Sequence, residues 1–151
     1  MMAPWRATFT RRWHANAALC HTVDPVGYHS GRMGVLALHF WGAGASRDLL
    51  VACLCHDLGE SATGDVPWDV KRDNPDLKAI LDRVEGKALA DMGLAFDLSP
   101  DDARRLQFLD RLDAYLWAKH HAPHVLNMPD WRATWEWIEA EAATPSAAVG
   151  L

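Results

Sequence analysis

Residues 46–71 read SRDLLVACLCHDLGESATGDVPWDVK, and the change of texture along this stretch decides the fold. Leu49 to Cys55 is apolar at every position. It is far shorter than the ~18 residues needed to span a bilayer, so it reads as a buried helix. Ser46 can cap that helix, which should run from Arg47 to about Leu58 through the centre of a bundle. From Gly59 to Lys71 the text turns to Gly, Ser, Thr, Asp and Pro, a connecting loop.

Working outward gives more helices. Upstream, His29, Met33, Leu36 and Phe40 recur at helical spacing up to a stop at Gly42-Ala43-Gly44. A first short helix should end before the loop Val23-Asp24-Pro25-Val26-Gly27. Downstream, Asn74-Pro75 opens a helix to about Leu94, and Ser99-Pro100-Asp101-Asp102 opens one to about His121. Pro129-Asp130 opens a last helix to about Ala142, with Trp131, Trp135 and Ile138 on one face as core or subunit interface. Period-2 runs of β-branched residues are missing. The expectation is an all-α bundle of about six helices, one domain over residues 1–142, and a flexible tail over 143–151.

Composition narrows the function. The chain has 151 residues, half of them apolar and 23% charged, which suits one globular core. Its formal net charge of −5 disfavours a nucleic-acid polymer as partner. Nothing at the N-terminus resembles an export signal or a membrane anchor. Three cysteines cannot form a fully paired disulfide framework, which favours a reducing, cytoplasmic setting. Cys53 and Cys55 lie two apart on a helix, point to different faces, and read as small buried hydrophobes. Eight His in an acidic chain suggest a metal held by nitrogen and oxygen.

His56-Asp57 closes the apolar helix. With eight His and fifteen Asp in the chain, one such dipeptide is about what chance supplies. Its position carries more weight, because two ionisable groups at an apolar edge are costly unless partnered, and a divalent cation partners both. Other helices must complete the set. His29 is one candidate; Asp110, inside the apolar run LQFLDRLDAYLW, is another, with Asp113 one turn later as the alternative. His120, His121 and His124 could form a second cluster, but Pro123 interrupts them, and histidines at a helix C-terminus favour its dipole.

The ordered set His29-Ser30, then His56-Asp57-x-x-Glu60-x-x-Thr63-Gly64-Asp65-x-Pro67-x-x-Val70-Lys71, then Asp110-Arg111-Leu112-x-Ala114-Tyr115 resembles HD-domain phosphohydrolases. In particular it is similar to bacterial 5′-deoxynucleotidases and to phage dATP triphosphohydrolases linked to diaminopurine genomes. The likeness extends upstream to Arg12-Trp13. It implies that His29, His56, Asp57 and Asp110 bind one divalent ion (Co, Mn, Zn, Fe or Mg), and that Glu60 orients or deprotonates the attacking water. It further implies that Arg12 and Lys71 hold phosphate oxygens, that Trp13 offers a flat face to the base, and that Asp65 contacts the deoxyribose. Tyr28 stands where that family has a small or acidic residue, and Trp68-Asp69 where it has small residues or Pro; both fall on the expected substrate side.

The function so implied is metal-dependent hydrolysis of a 2′-deoxynucleotide. The Arg12-Trp13 pair and the Ala114-Tyr115-Leu116-Trp117 run favour dATP, with release of deoxyadenosine and triphosphate, over a deoxynucleoside monophosphate. A homo-oligomer is expected from the same likeness. Two readings of another class are a nucleotide-binding HD module, which has no need of Glu60, and a cyclic-nucleotide phosphodiesterase, which should lack the Arg12, Trp13 and Lys71 grips.

Overall fold

The computed structural model describes residues 3–144 and Ala147. Seven α-helices follow one another among these residues: α1 (Ala3–Ala7), α2 (Val26–Trp41), α3 (Arg47–Cys55), α4 (Trp68–Asp73), α5 (Pro75–Asp91), α6 (Pro100–His121) and α7 (Pro129–Ala142). Tight 3-10 turns occupy Gly42–Gly44, His56–Ser61 and Pro123–Asn127. Extended pairing among the described residues is one isolated antiparallel bridge, Arg11 with Pro25. This is the expected all-α architecture; most of the expected tail, 143–151, lies outside the described residues.

The helix ends follow their local chemistry. Ser99 Oγ accepts from the Asp102 amide, and Ser46 Oγ from the Leu49 amide, so both expected caps form. Asn74 does not cap α5: its amide group donates back to the Val70 carbonyl. Several expectations need correction. Residues 8–25 hold turns rather than a continued first helix. The α-helical part of residues 47–58 stops at Cys55, and Leu54 is half exposed, so α3 is not buried on all sides. Residues 68–73, expected in a loop, form α4.

The fold divides into two compact units. One comprises the described residues up to Gly31 together with Leu54–Phe96. In it the 3-10 turn His56–Ser61 packs against α5 and α1. Gly59 permits that approach: a Cβ there would meet the Glu85 carbonyl oxygen at 2.6 Å. Its interior mixes Leu19, Val26 and Leu58 with buried Arg12, Asp24, His29 and Glu60.

The other unit comprises Arg32–Cys53 and the described residues from Asp97 onward. Its core is Met33, Ala37, Leu49, Cys53, Phe108, Leu109, Leu112, Ile138 and Ala142. Phe40 and Trp41 meet Phe108 edge-on, and Tyr115 stacks on Trp135 at 4.7 Å. Arg32, Arg105 and Arg111 lie over Trp117, Trp41 and Trp137. Cys53 is buried as expected, and burial pushes its thiol up to about 12. No helix of the described residues is long and apolar enough to cross a membrane.

Candidate active site

His29 enters the site from the first turn of α2. That turn has no acidic residue, and its leading amides are satisfied by the N-terminal segment: Val26 donates to the Thr10 carbonyl and Gly27 to that of Thr8. Gly27 is required, since a Cβ there would fall 2.8 Å from Thr8 Cβ. His56 and Asp57 come from the point where α3 gives way to the 3-10 turn, Cys55 having left helical dihedrals at φ −123°.

These three side chains converge. His56 Nε2 lies 3.1 Å from Asp57 Oδ1, and His29 Nε2 lies 3.3 Å from Asp57 Oδ2. The imidazole centroids are 5.3 Å apart, and one ligand atom from each of the three residues falls within 4.8 Å of the others. His29 is fully buried. Burial by itself would raise the Asp57 carboxyl; the charges of His56 and His29, a His29 hydrogen bond and the charge of Arg12 outweigh it and hold Asp57 well below the usual carboxylate range. Two imidazole nitrogens converging on one carboxylate make a donor set whose chemistry suits a borderline divalent metal.

Glu60 follows in the same 3-10 turn and is buried. Its Oε1 accepts from Lys71 Nζ at 3.3 Å, while Oε2 is buried with no hydrogen-bond partner among the described residues. Burial first, then the charges of Asp57 and Asp65, push the Glu60 carboxyl up to about 9; Lys71 opposes the rise. Burial pulls Lys71 down, but Glu60 and Glu85 more than reverse it and raise the ammonium above its ordinary range. Thr63 donates to Glu85 at 2.7 Å, and Gly64, at φ +78°, turns the chain toward Asp65.

Arg12 and Trp13 belong to the same unit. The Trp13 amide donates to Asp65 Oδ2 at 2.7 Å, and its indole Nε1 to Asp24 Oδ2 at 3.1 Å. Trp13 is held at φ +66°, a left-handed conformation that costs a bulky residue about 1–3 kcal/mol. Arg12 Nη1 reaches the same Asp24 oxygen at 3.5 Å. Sequence reasoning passed over Asp24, because a single Asp before Pro25 reads as turn chemistry; its full burial is visible only in the fold. Tyr28 and Trp68 are both largely exposed.

Asp110 lies half-buried on α6, between buried Leu109 and Leu112. Its rival Asp113 is buried, and both its oxygens accept from Arg32, at 2.6 and 2.9 Å. His120, His121 and His124 are exposed and form no metal-ligating group among the described residues.

A His-His-Asp set, His29 buried and His56 and Asp57 half-buried, with a carboxylic acid and a lysine close along the chain, defines a metal-dependent phosphohydrolase of the HD-domain class. The chain belongs to the YfbR-like 5′-deoxynucleotidase family, whose model matches residues 12–104. That span carries Arg12 to Lys71 and ends before Asp110. No curated protein and no solved structure matches the chain.

Proposed function

We propose that the protein hydrolyses the phosphate ester of a 2′-deoxynucleoside 5′-monophosphate, releasing the deoxynucleoside and inorganic phosphate. The observation that carries this reading is Glu60: a buried carboxyl beside His56 and Asp57 in sequence, steadied by Lys71 through one oxygen, with the other oxygen unengaged among the described residues. Such an oxygen suits a water molecule. His29, His56 and Asp57 would hold the cation, and the family resemblance makes Asp110 the fourth ligand. Asp110 is chosen for its place in the Asp110-Arg111-Leu112-x-Ala114-Tyr115 pattern and because Asp113 is already engaged by Arg32. A second carboxylate also balances the two charges of the ion, which neutral imidazoles do not.

A cation held there would supply positive charge to neutralise the phosphoryl group and favour the ionised form of Glu60. Glu60 orients the attacking water and takes its proton as the oxygen–phosphorus bond forms; the bond from phosphorus to O5′ breaks, and O5′ leaves with the proton that Glu60 gives up. Arg12 and Lys71 hold the phosphate oxygens, Trp13 meets the base, and Asp65 lies against the sugar where a 2′-hydroxyl would crowd it.

Release of triphosphate from dATP is the second reading. It breaks the same bond and is favoured by the Arg12-Trp13 pair and the Ala114-Tyr115-Leu116-Trp117 run. Against it, the two proposed cationic grips each already face a carboxylate, Asp24 and Glu60, which suits a smaller anion. A panel of deoxynucleoside mono- and triphosphates with added Mn, Co, Zn or Mg separates the two by product, phosphate against triphosphate. Hydrolysis of neither class would sink both. Glu60→Gln should keep metal affinity and lower turnover by about 10²–10⁴-fold; a binding module would show no turnover to lose. We also propose a homo-oligomer, for which Leu77, Ile80 and Val84 provide partly exposed apolar contacts on α5; light scattering checks it.

A further inference from the structure

Asp24 has no part in the chemistry described so far, yet it is fully buried, and a buried carboxylate is costly unless its partners repay the burial. Its side chain meets both residues assigned to phosphate and base. One oxygen, Oδ2, faces Arg12 Nη1 at 3.5 Å and accepts from Trp13 Nε1 at 3.1 Å. The backbone repeats the pairing: the Arg12 amide donates to the Asp24 carbonyl at 3.0 Å, beside the Arg11–Pro25 bridge. The Arg12 guanidinium lies 5.1 Å from the Trp13 ring centroid. Trp13 is meanwhile held in a left-handed conformation, its amide taken by Asp65.

We infer that Asp24 is a positioning residue for substrate binding: it locks the Arg12 guanidinium and the Trp13 indole into one fixed arrangement before the deoxynucleotide arrives. This rests on the proposed roles of Arg12 and Trp13. A guanidinium carries its donors in a rigid planar fork, so the Asp24 contact at Nη1 fixes the orientation of the whole group. An indole pinned at Nε1 cannot rotate away from its left-handed backbone, so its ring face is presented without the entropy cost of ordering it on binding.

The test is Asp24→Asn, which retains an acceptor for the indole and removes the charge facing Arg12, compared with Arg12→Ala and the double variant. The expected result is a KM for deoxynucleoside monophosphate raised about tenfold, with kcat changed less than about threefold and metal affinity unchanged. In the Arg12→Ala background the same change should add less than about twofold, because the two residues act as one unit. Asp24→Glu should recover part of the loss. An unchanged KM in Asp24→Asn, or full additivity with Arg12→Ala, overturns the inference while leaving the proposed function standing. If Arg12→Ala itself leaves KM unchanged, its role in phosphate binding falls, and the inference with it. Should Asp24→Asn not fold, Asp24→Glu, which keeps the charge but moves the carboxylate, is taken through the same cycle; a KM raised severalfold and non-additive with Arg12→Ala supports the inference, and an unchanged KM or full additivity overturns it.

Discussion

The two compact units solve the problem of a helical interior in opposite ways. From Arg32 to Cys53 and from Asp97 onward, buried carboxylates are neutralised on the spot by arginine: Asp113 by Arg32, Glu141 by Arg104, Asp102 by Arg105 and Ser46. The remaining core is apolar and aromatic. In the other unit Asp24 is paired with Arg12 in the same manner, but Asp57 faces two imidazoles, and Glu60, paired with Lys71 through one oxygen, keeps the other buried with no hydrogen-bond partner among the described residues. The contrast teaches where function sits. A fully satisfied polar network adds rigidity, whereas a buried acid left short of partners is maintained at a cost in stability and reserves a place for water and a cation.

The largest test of that contrast is Asp57→Asn. It should abolish metal binding and lower turnover by more than about 10³-fold with the helical content intact, as measured by metal analysis, activity and far-UV circular dichroism. The opposite signature is expected from Phe108→Ala, which empties a fully buried ring position in the apolar core. It should cost about 3–5 kcal/mol in denaturant unfolding while the surviving folded protein keeps its metal affinity.

A smaller effect concerns pH in the chelated protein. Glu60 in the folded chain keeps its proton up to about pH 9, whereas the unfolded chain releases it near the ordinary value of 4.5. The unfolded state therefore binds fewer protons across that window, and stability falls as pH rises, by up to about 1.4 kcal/mol per pH unit. Asp57 acts in the opposite sense: its contribution is complete above the ordinary carboxylate range and is lost as pH falls below it. Thermal melts of chelated protein between pH 5 and 8 should show the decline, and Glu60→Gln should flatten it; an equal slope in both would break the assignment. At the bottom of the scale, Lys87→Ala removes an exposed pair with Asp91 and should change stability by less than about 0.5 kcal/mol.

The helix starts at Ser46, Pro75, Pro100 and Pro129 were legible because capping and proline chemistry act within three residues of chain. Less visible was the early end of α3 at Cys55, since no Gly or Pro stands between Ser46 and Gly59 and nothing local marks the switch to a 3-10 turn. The short α4 was hidden for a similar reason: Trp68 to Asp73 follows Pro67 without an apolar face, and its interior partners lie in α5. His56 and Asp57 could be picked out as chemistry because closing an apolar run is a local property; His29 was a candidate at a helix start, and Glu60 entered only through the resemblance.

The sequence by itself determined the helical class, the metal-ligating residue types and the resemblance to HD-domain phosphohydrolases, all of which depend on near neighbours. Only the tertiary structure decided that two imidazoles meet one carboxylate, that Asp113 is consumed by Arg32 while Glu60 keeps an unengaged oxygen, and that Asp24 underlies Arg12 and Trp13. Those outcomes turn on which groups are desolvated together. Desolvation is set by contacts between residues far apart in the chain, such as Trp13 with Asp65, and no local pattern encodes it.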